Sequence, residues 1–422
     1  MASEAGGRQA GIYYGWIVLG VCMAMLMVMV GTTINAFGLY VVPVSEAFGI
    51  SRATMNTGMI LMSAGSAVAA LIVGRMLDRY PIRLIMLASI WLLAASLITF
   101  GVSQSVWLSA AMISFPVGFA MKGIGILTAP SLIARWFKVH RGKAMAILMM
   151  GMSLGPILVV PVIAWLIDYA GWRQSLVMIG VAVGIVMTLL LPFIRQDPGP
   201  DDHETRHRDE LASDATAPAG AGTFTTMQVF AMPRFWAIAS GTALTMAVFQ
   251  GILVSLVPLA IDLGFTTTRA ATLMSAMGIA AIAGKFTVAL IADRFERPVI
   301  LAVLFSLMAV ACALLLRADS YILLVACSAI MGISSGASMP VFLALLADRF
   351  GALSMGTANG NATFVIAVLT AVSVRFAGEV FDRTGNYDLM FVSYIPVALF
   401  AAILIFLTRF SRPDAAPVVA AG

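Results

Sequence analysis

Twelve stretches of roughly twenty residues, each almost free of charge, punctuate this chain, and that length is what a helix needs to cross a bilayer. At ~1.5 Å rise per residue such a run spans about 30 Å of hydrocarbon. Inside lipid every backbone amide and carbonyl must find a partner within helices or a closed barrel. Barrel strands alternate apolar and polar residues, and that alternation is missing here, so the runs read as helices. They fall at 13–42, 53–73, 84–103, 106–134, 143–167, 174–194, 235–261, 270–291, 299–316, 320–347, 354–379 and 388–408. Composition agrees, with 61% hydrophobic residues, 11% charged residues and a mean hydropathy of +1.00. A soluble domain of 422 residues needs far more polar surface. The first run is too long for a signal-peptide core and lacks a cleavage site, so it reads as an uncleaved span. Cys22, Cys312 and Cys327 lie inside apolar runs with no disulfide or zinc spacing.

Composition breaks once, at about 195–232, where Asp201, Asp202, Glu204, Arg206, Arg208, Asp209 and Glu210 precede Pro and Gly. The expected organisation is a six-helix unit over 1–194, a cytoplasmic linker over 195–232, a second six-helix unit over 233–410 and a cytoplasmic tail over 411–422. Lys and Arg set the orientation. With both termini on one side, that side collects seventeen of the loop cations. The opposite side holds five: Arg52, Arg173, Arg269, Arg317 and Arg383. The positive-inside bias places both termini in the cytoplasm of a multi-pass inner-membrane protein.

The halves repeat weakly. Asp78-Arg79 after span 2 returns as Asp293-Arg294 after span 8, at an offset of 215. Arg135-Trp136-Phe137 at the end of span 4 returns as Asp348-Arg349-Phe350, at 213. Asp168-Tyr-Ala-Gly171 after span 5 returns as Asp382-Arg-Thr-Gly385, at 214. Near-constant offsets argue for a duplicated unit.

With that pattern in view, Gly74-Arg-Met-Leu-Asp78-Arg79-Tyr80-Pro-Ile-Arg83 resembles the signature of the major facilitator superfamily, with Pro81 where a Gly is usual. Within it, Tyr14-Gly15-Trp16, Phe48-Gly49-Ile50-Ser51-Arg52, Arg141-Gly142-Lys143-Ala144, Gly171-Trp172-Arg173 and Phe381-Asp382-Arg-Thr-Gly385-Asn-Tyr387 are similar to the monocarboxylate transporter and oxalate–formate antiporter group. The resemblance implies an all-α membrane protein with twelve transmembrane helices in two pseudo-symmetric six-helix bundles, the major facilitator fold. It also implies a conformational hinge at Asp78, Arg79 and Arg83 and at their counterparts Asp293 and Arg294. The group holds its carboxylate with an Arg in span 8, where this chain has Lys285. The acid found one turn earlier in some proton-coupled members is Ala281 here.

Asp and Glu keep to the span ends, but two cations lie deep: Lys122 near the centre of span 4 and Lys285 some two turns from the inner end of span 8. A central Lys costs about 2.5–3.5 kcal/mol on insertion scales, so each requires a partner, a wet cavity or a lost proton. Snorkelling to the interface is the plain reading; for Lys122 that interface is ~18 Å away. The sharper reading is that both draw an anionic substrate. Asn35, Gln250, Asn359 and Asn361 are the polar candidates around them, with interhelical hydrogen bonding as the alternative. Arg375 and Glu379, spaced i, i+4, form either an ordinary ion pair or an outer gate. The methionines spread around their helices as gap-fillers, which weighs against a copper path. His203 and His207 sit in the solvated linker, and no metal site is expected.

The expectation is a secondary transporter of small organic anions, mono- or dicarboxylates, working by alternating access as a proton symporter or an anion exchanger. It acts as a monomer amid membrane lipid, with no cofactor, nucleic acid or enzymatic chemistry. The alternative is a proton-driven drug or metabolite exporter, whose usual mid-membrane carboxylates are absent. Nucleotide-binding motifs are absent too, which argues against an ATP-driven pump.

Overall fold

Apolar runs close their hydrogen bonds internally to give α1 (Tyr14–Phe48), α2 (Arg52–Arg79), α3 (Ile82–Val102) and α4 (Val106–Trp136). The computed structural model describes residues 13–137, 140–197, 226–291, 294–318, 320–350 and 355–410, leaving aside the side chains of Asp78, Arg141, Thr226 and Met355. The tails, most of the 195–232 linker and Asp293 of the expected hinge therefore lie outside the described residues.

After α4 comes one helical stretch of 51 residues, Lys143–Phe193. Gly171 interrupts it with φ 78° and ψ 162°. Before Gly171 the chain runs alongside α1, with Gly151 at Met23 and Gly155 at Gly31; after it, Gly180 and Gly184 descend along Ala94 and Trp91 of α3. These are two antiparallel helices, α5 (141–170) and α6 (172–190). Between the apolar runs 143–167 and 174–194, helix persists to either side of Gly171, and a single left-handed glycine makes the reversal. Then follow α7 (Pro233–Asp262), α8 (Thr267–Ile291), α9 (Arg297–Leu315), α10 (Tyr321–Phe350), α11 (Met355–Thr384) and α12 (Asp388–Leu407). Among the described residues, eleven long apolar helices, one of them double, make twelve crossings. Among the described residues there is no strand. Leu71, Trp107, Leu290 and Ile322 stand exposed around the perimeter, an apolar surface suited to lipid.

The face at which α1 begins and α12 ends is the terminal face; the other is the far face. On the far face the repeat becomes geometric. Gly49 (φ 62°) and Gly264 (φ 87°) turn the chain into α2 and α8, 215 residues apart; Gly171 and Gly385 (φ 72°) do so into α6 and α12, 214 apart. The caps repeat as well. Ser51 Oγ accepts from Thr54 N at 3.1 Å, and Thr266 Oγ1 from Arg269 N at 3.3 Å.

Two departures from the sequence reading matter for the site. First, α2 continues beyond its apolar run, through Gly74 to Arg79, because polar residues emerging from lipid remain good helix formers. Second, three helices are not regular α throughout. Wide π-turns replace α geometry at Gly31–Asn35 in α1, Lys122–Ile126 in α4 and Gly155–Val159 in α5. Each contains glycine, and the third contains Pro156, whose missing N–H and bulky ring oppose a regular ladder.

Candidate transport site and the seams between the halves

The helices before and after the linker meet along two seams, α1 and α2 with α7 and α11, and α5 with α8. At the head of the first, the start of α2 leaves amides without helical partners. Asp382, at the end of α11, supplies them: Oδ1 accepts from Arg52 N and Oδ2 from Ala53 N, both at 2.8 Å. The Arg52 side chain turns to Asp262 at the end of α7 and meets it with both nitrogens, at 2.6 and 2.7 Å. Arg52 Nη1 also donates to the Tyr387 hydroxyl at 2.8 Å, and the guanidinium lies 3.6 Å from the Phe381 ring centre. Burial pushes the Tyr387 phenol up to about 12, against the pull of Arg52, so it stays protonated. Approach here is tight, since a Cβ on Gly378 would sit 2.5 Å from Ala53 Cα.

The second seam has the matching device. Asp168, at the end of α5, accepts from Thr268 N at 3.2 Å and from Thr268 Oγ1 at 2.6 Å at the head of α8. Asp168 and Asp382 are the repeat pair at offset 214. Each half therefore caps a helix of the other. Below Asp382, Arg375 Nη1 donates to Ala53 O at 3.0 Å and Thr57 Oγ1 at 2.8 Å, so Arg375 reaches across to α2. Its pair with Glu379 is long, 3.6 Å, while Glu379 holds Arg383 at 2.7 Å. Buried Asn56 on α2 donates to Val374 O at 3.2 Å.

Midway down the second seam lies Lys285. Its ammonium donates at 2.8 Å to Ser153 Oγ on α5, in the other half. Among the described residues no carboxylate pairs with it. The π-turn just after Ser153 turns carbonyls toward α8, where Ser275 Oγ donates to Pro156 O at 3.2 Å. Gln250 on α7 likewise reaches over, its Nε2 lying 3.7 Å from Met59 Sδ on α2. Asn35 is buried at the end of the α1 π-turn. That turn packs on its α5 counterpart, since a Cβ on Gly31 would fall 2.6 Å from Val159 Cβ.

Lys122 opens the α4 π-turn. Gly123 beside it sits against Ser89 of α3, and Gly125 against Leu26 and Met29 of α1. Among the described residues its ammonium takes no hydrogen bond or ion pair, and no contact joins it to Lys285. Asn359 and Asn361 lie in the first two turns of α11, toward the terminal face; Asn359 Oδ1 is buried without a hydrogen bond. Of the expected hinge, Arg79 and Arg294 are exposed. Arg83 is held within its own half, on the carbonyls of Ile194 and Pro192.

Ser153, Asn56 and the acids Asp168, Asp262 and Asp382 were not assigned to a site by the sequence reading. Arg52 and Asp382 lay in two separate family-like motifs, and nothing in either indicated that they touch.

The sequence profile of the Major Facilitator Superfamily matches residues 21–365 and 241–421. An uncharacterized MFS-type transporter of Bacillus subtilis (strain 168), YcxA, is 23% identical over 84% of this chain and 86% of its own. Monocarboxylate transporter 12 of Rattus norvegicus is 25% identical over 67% of this chain, and the match spans 63% of that protein. Among solved structures, the crystal structure of a peptide transporter (POT) superposes with a TM-score of 0.72 at 13% identity, covering 93% of this chain and 94% of the other. That likeness speaks to the fold. Profile match, helix count and doubled architecture agree: the chain is a multi-pass membrane transporter belonging to the major facilitator superfamily.

Proposed function

We propose that this transporter moves small organic anions, mono- or dicarboxylates, by alternating access between residues 1–194 and 233–410. One observation carries the reading: at mid-seam the Lys285 ammonium crosses between the halves to a neutral hydroxyl, Ser153. Serine relieves the hydrogen bonding but leaves the positive charge, and a carboxylate supplies what is missing. An anion seated there is gripped from both halves, so its binding biases the equilibrium between states. The likeness to monocarboxylate transporter 12 supports the substrate class. Gln250 and Asn35 are the polar candidates proposed from the two halves, and Lys122 is a second cation on α4 for a substrate with two charges. With the far-face seams latched, the conformation is closed on that side.

The test is a thermal-shift screen of the purified transporter against mono- and dicarboxylates, because a ligand of the native state raises its stability by mass action. A saturable shift with one class names it; no shift with any carboxylate, alongside proton-driven export of uncharged or cationic compounds, overturns the reading in favour of an exporter. Flux into proteoliposomes then assigns the coupling. Uptake driven by a pH gradient with no internal anion indicates proton symport, and strict dependence on internal anion indicates exchange.

The terminal face is assigned to the cytoplasm on the Lys and Arg bias. Single cysteines placed within 195–232 are expected to label only from the cytoplasm, and cysteines beside Arg269 only from outside. The opposite sidedness would reverse the orientation.

A further inference from the structure

A single hydroxyl braces the π-turn of α4. In that turn the Lys122 carbonyl accepts from Leu127 N, five residues on, at a long 3.4 Å. Thr128 Oγ1 donates to the same carbonyl at 3.1 Å, and Thr128 is fully buried. The reach is unusual. Thr33, Thr57, Thr245, Thr287 and Thr363 each donate to a carbonyl four residues back, as helical threonines commonly do. Thr128 reaches six back, farther than a regular ladder rising ~1.5 Å per residue would allow. The second half holds the natural comparison. At the offset of 213, Gly123 returns as Gly336, Lys122 as Ser335 and Thr128 as Val341, which has the shape of threonine without the hydroxyl. There α10 runs as α-helix without interruption. A glycine alone therefore does not keep such a turn wide.

We infer that Thr128 is a positioning residue: its hydroxyl holds the π-turn open, the turn directs the Lys122 ammonium, and Lys122 so directed selects anions with two carboxylates over those with one. This rests on the carboxylate reading above, in which Lys122 takes the second charge. Lys122 is the first residue of the turn, and among the described residues its ammonium takes no hydrogen bond or ion pair. Its direction is therefore set by the backbone that carries it. That backbone is pinned on both sides. Gly118, one turn earlier, lies against Ser66 of α2, and Gly125 lies against Leu26 and Met29 of α1. A regular helix turns about 100° per residue, so withdrawing the extra residue would swing one pinned side, or Lys122 itself, by that angle. A lysine turned so far keeps its charge and loses its alignment with a bound carboxylate, and alignment is what a second charge in the substrate exploits. Widened turns of this kind are frequent at functional sites.

The test compares succinate with butyrate, four-carbon acids that differ by one carboxylate, on the full-length protein by ligand-induced thermal shift. Thr128→Val removes the hydroxyl at nearly constant shape. It is expected to weaken succinate about fivefold, the worth of one neutral hydrogen bond, and to leave butyrate unchanged. Thr128→Ser keeps the hydroxyl and should bind both acids as the wild type does. In the Lys122→Gln background, Thr128→Val should weaken succinate no further, because both changes act through one ammonium. Melting of each empty variant verifies that it is folded. Three results would each overturn the positioning role: equal weakening of both acids, a Thr128→Val loss that persists without Lys122, or unchanged succinate affinity in Thr128→Val. If succinate binding survives Lys122→Gln while Lys285→Gln loses both acids, the carboxylate reading stands and this inference falls. If the wild type binds neither acid, the carboxylate reading itself fails.

Discussion

Lys285→Gln is expected to lower substrate affinity by ten- to a hundredfold, while Lys285→Arg keeps part of it. A charge-assisted contact in a sheltered site is worth about 1.5–3 kcal/mol, which is that range of affinity. Gln at 285 keeps a hydrogen-bond donor, one bond shorter than the ammonium, and removes the charge. Arg retains the charge and changes its geometry from a point to a fork. Ser153→Ala is the informative companion. It strips the resting partner from Lys285 but not the charge, so affinity for the anion should hold or rise. The measurement is the ligand-induced thermal shift, followed by counterflow of labelled carboxylate. If Gln at 285 binds as well as the wild type, the lysine is structural and the site lies elsewhere. Lys122→Gln extends the series: if Lys122 shares the cavity, dicarboxylates weaken more than monocarboxylates.

The second large effect is expected at the far-face latches. Asp168→Ala and Asp382→Ala each remove a carboxylate that caps a helix of the opposite half. Losing such a cap typically costs about 1 kcal/mol, and the two sites are independent, so the double variant should favour the state open at the far face by roughly thirtyfold. Arg52→Gln adds to this by releasing Asp262, though that carboxylate is partly exposed and solvent recovers some of the loss. A cysteine at Gln250, mid-seam, reports the shift through its labelling rate by a membrane-impermeant reagent added from the far side. Rates that do not move in the double variant would mean that the seams are closed by apolar packing alone.

Much of this was readable from residues, and the reason is the solvent. Lipid makes each span a long apolar word and makes Lys122 and Lys285 conspicuous, because their charge has to be accounted for. The repeat was legible wherever chemistry is forced, at the acids Asp168 and Asp382 and the glycines Gly171 and Gly385. What escaped were pairings set by how the halves lean together. Arg52 and Asp382 are 330 residues apart, and nothing local in either motif selects the other. Ser153 is an ordinary hydroxyl in a helix, informative only once α8 is placed beside it. The π-turns escaped for a different reason. A glycine in a membrane helix serves close packing as readily as a widened turn, so Gly31, Gly123 and Gly155 carried no distinct signal. The one-residue reversal at Gly171 escaped because apolar runs mark where lipid is crossed and not where the helix ends.

That turn has a mechanical consequence. At Gly171 no slack separates α5 from α6, and on the same face Gly264 and Gly385 sit in reversals of only a few residues. Hairpins joined so tightly tilt as single levers, with the far-face turn as the stiff end. Bending one arm without its mate would stretch a connection that has no length to give. Any movement that parts α5 from α8 therefore carries α6 with it, and through α6 the whole outer wall formed with α3.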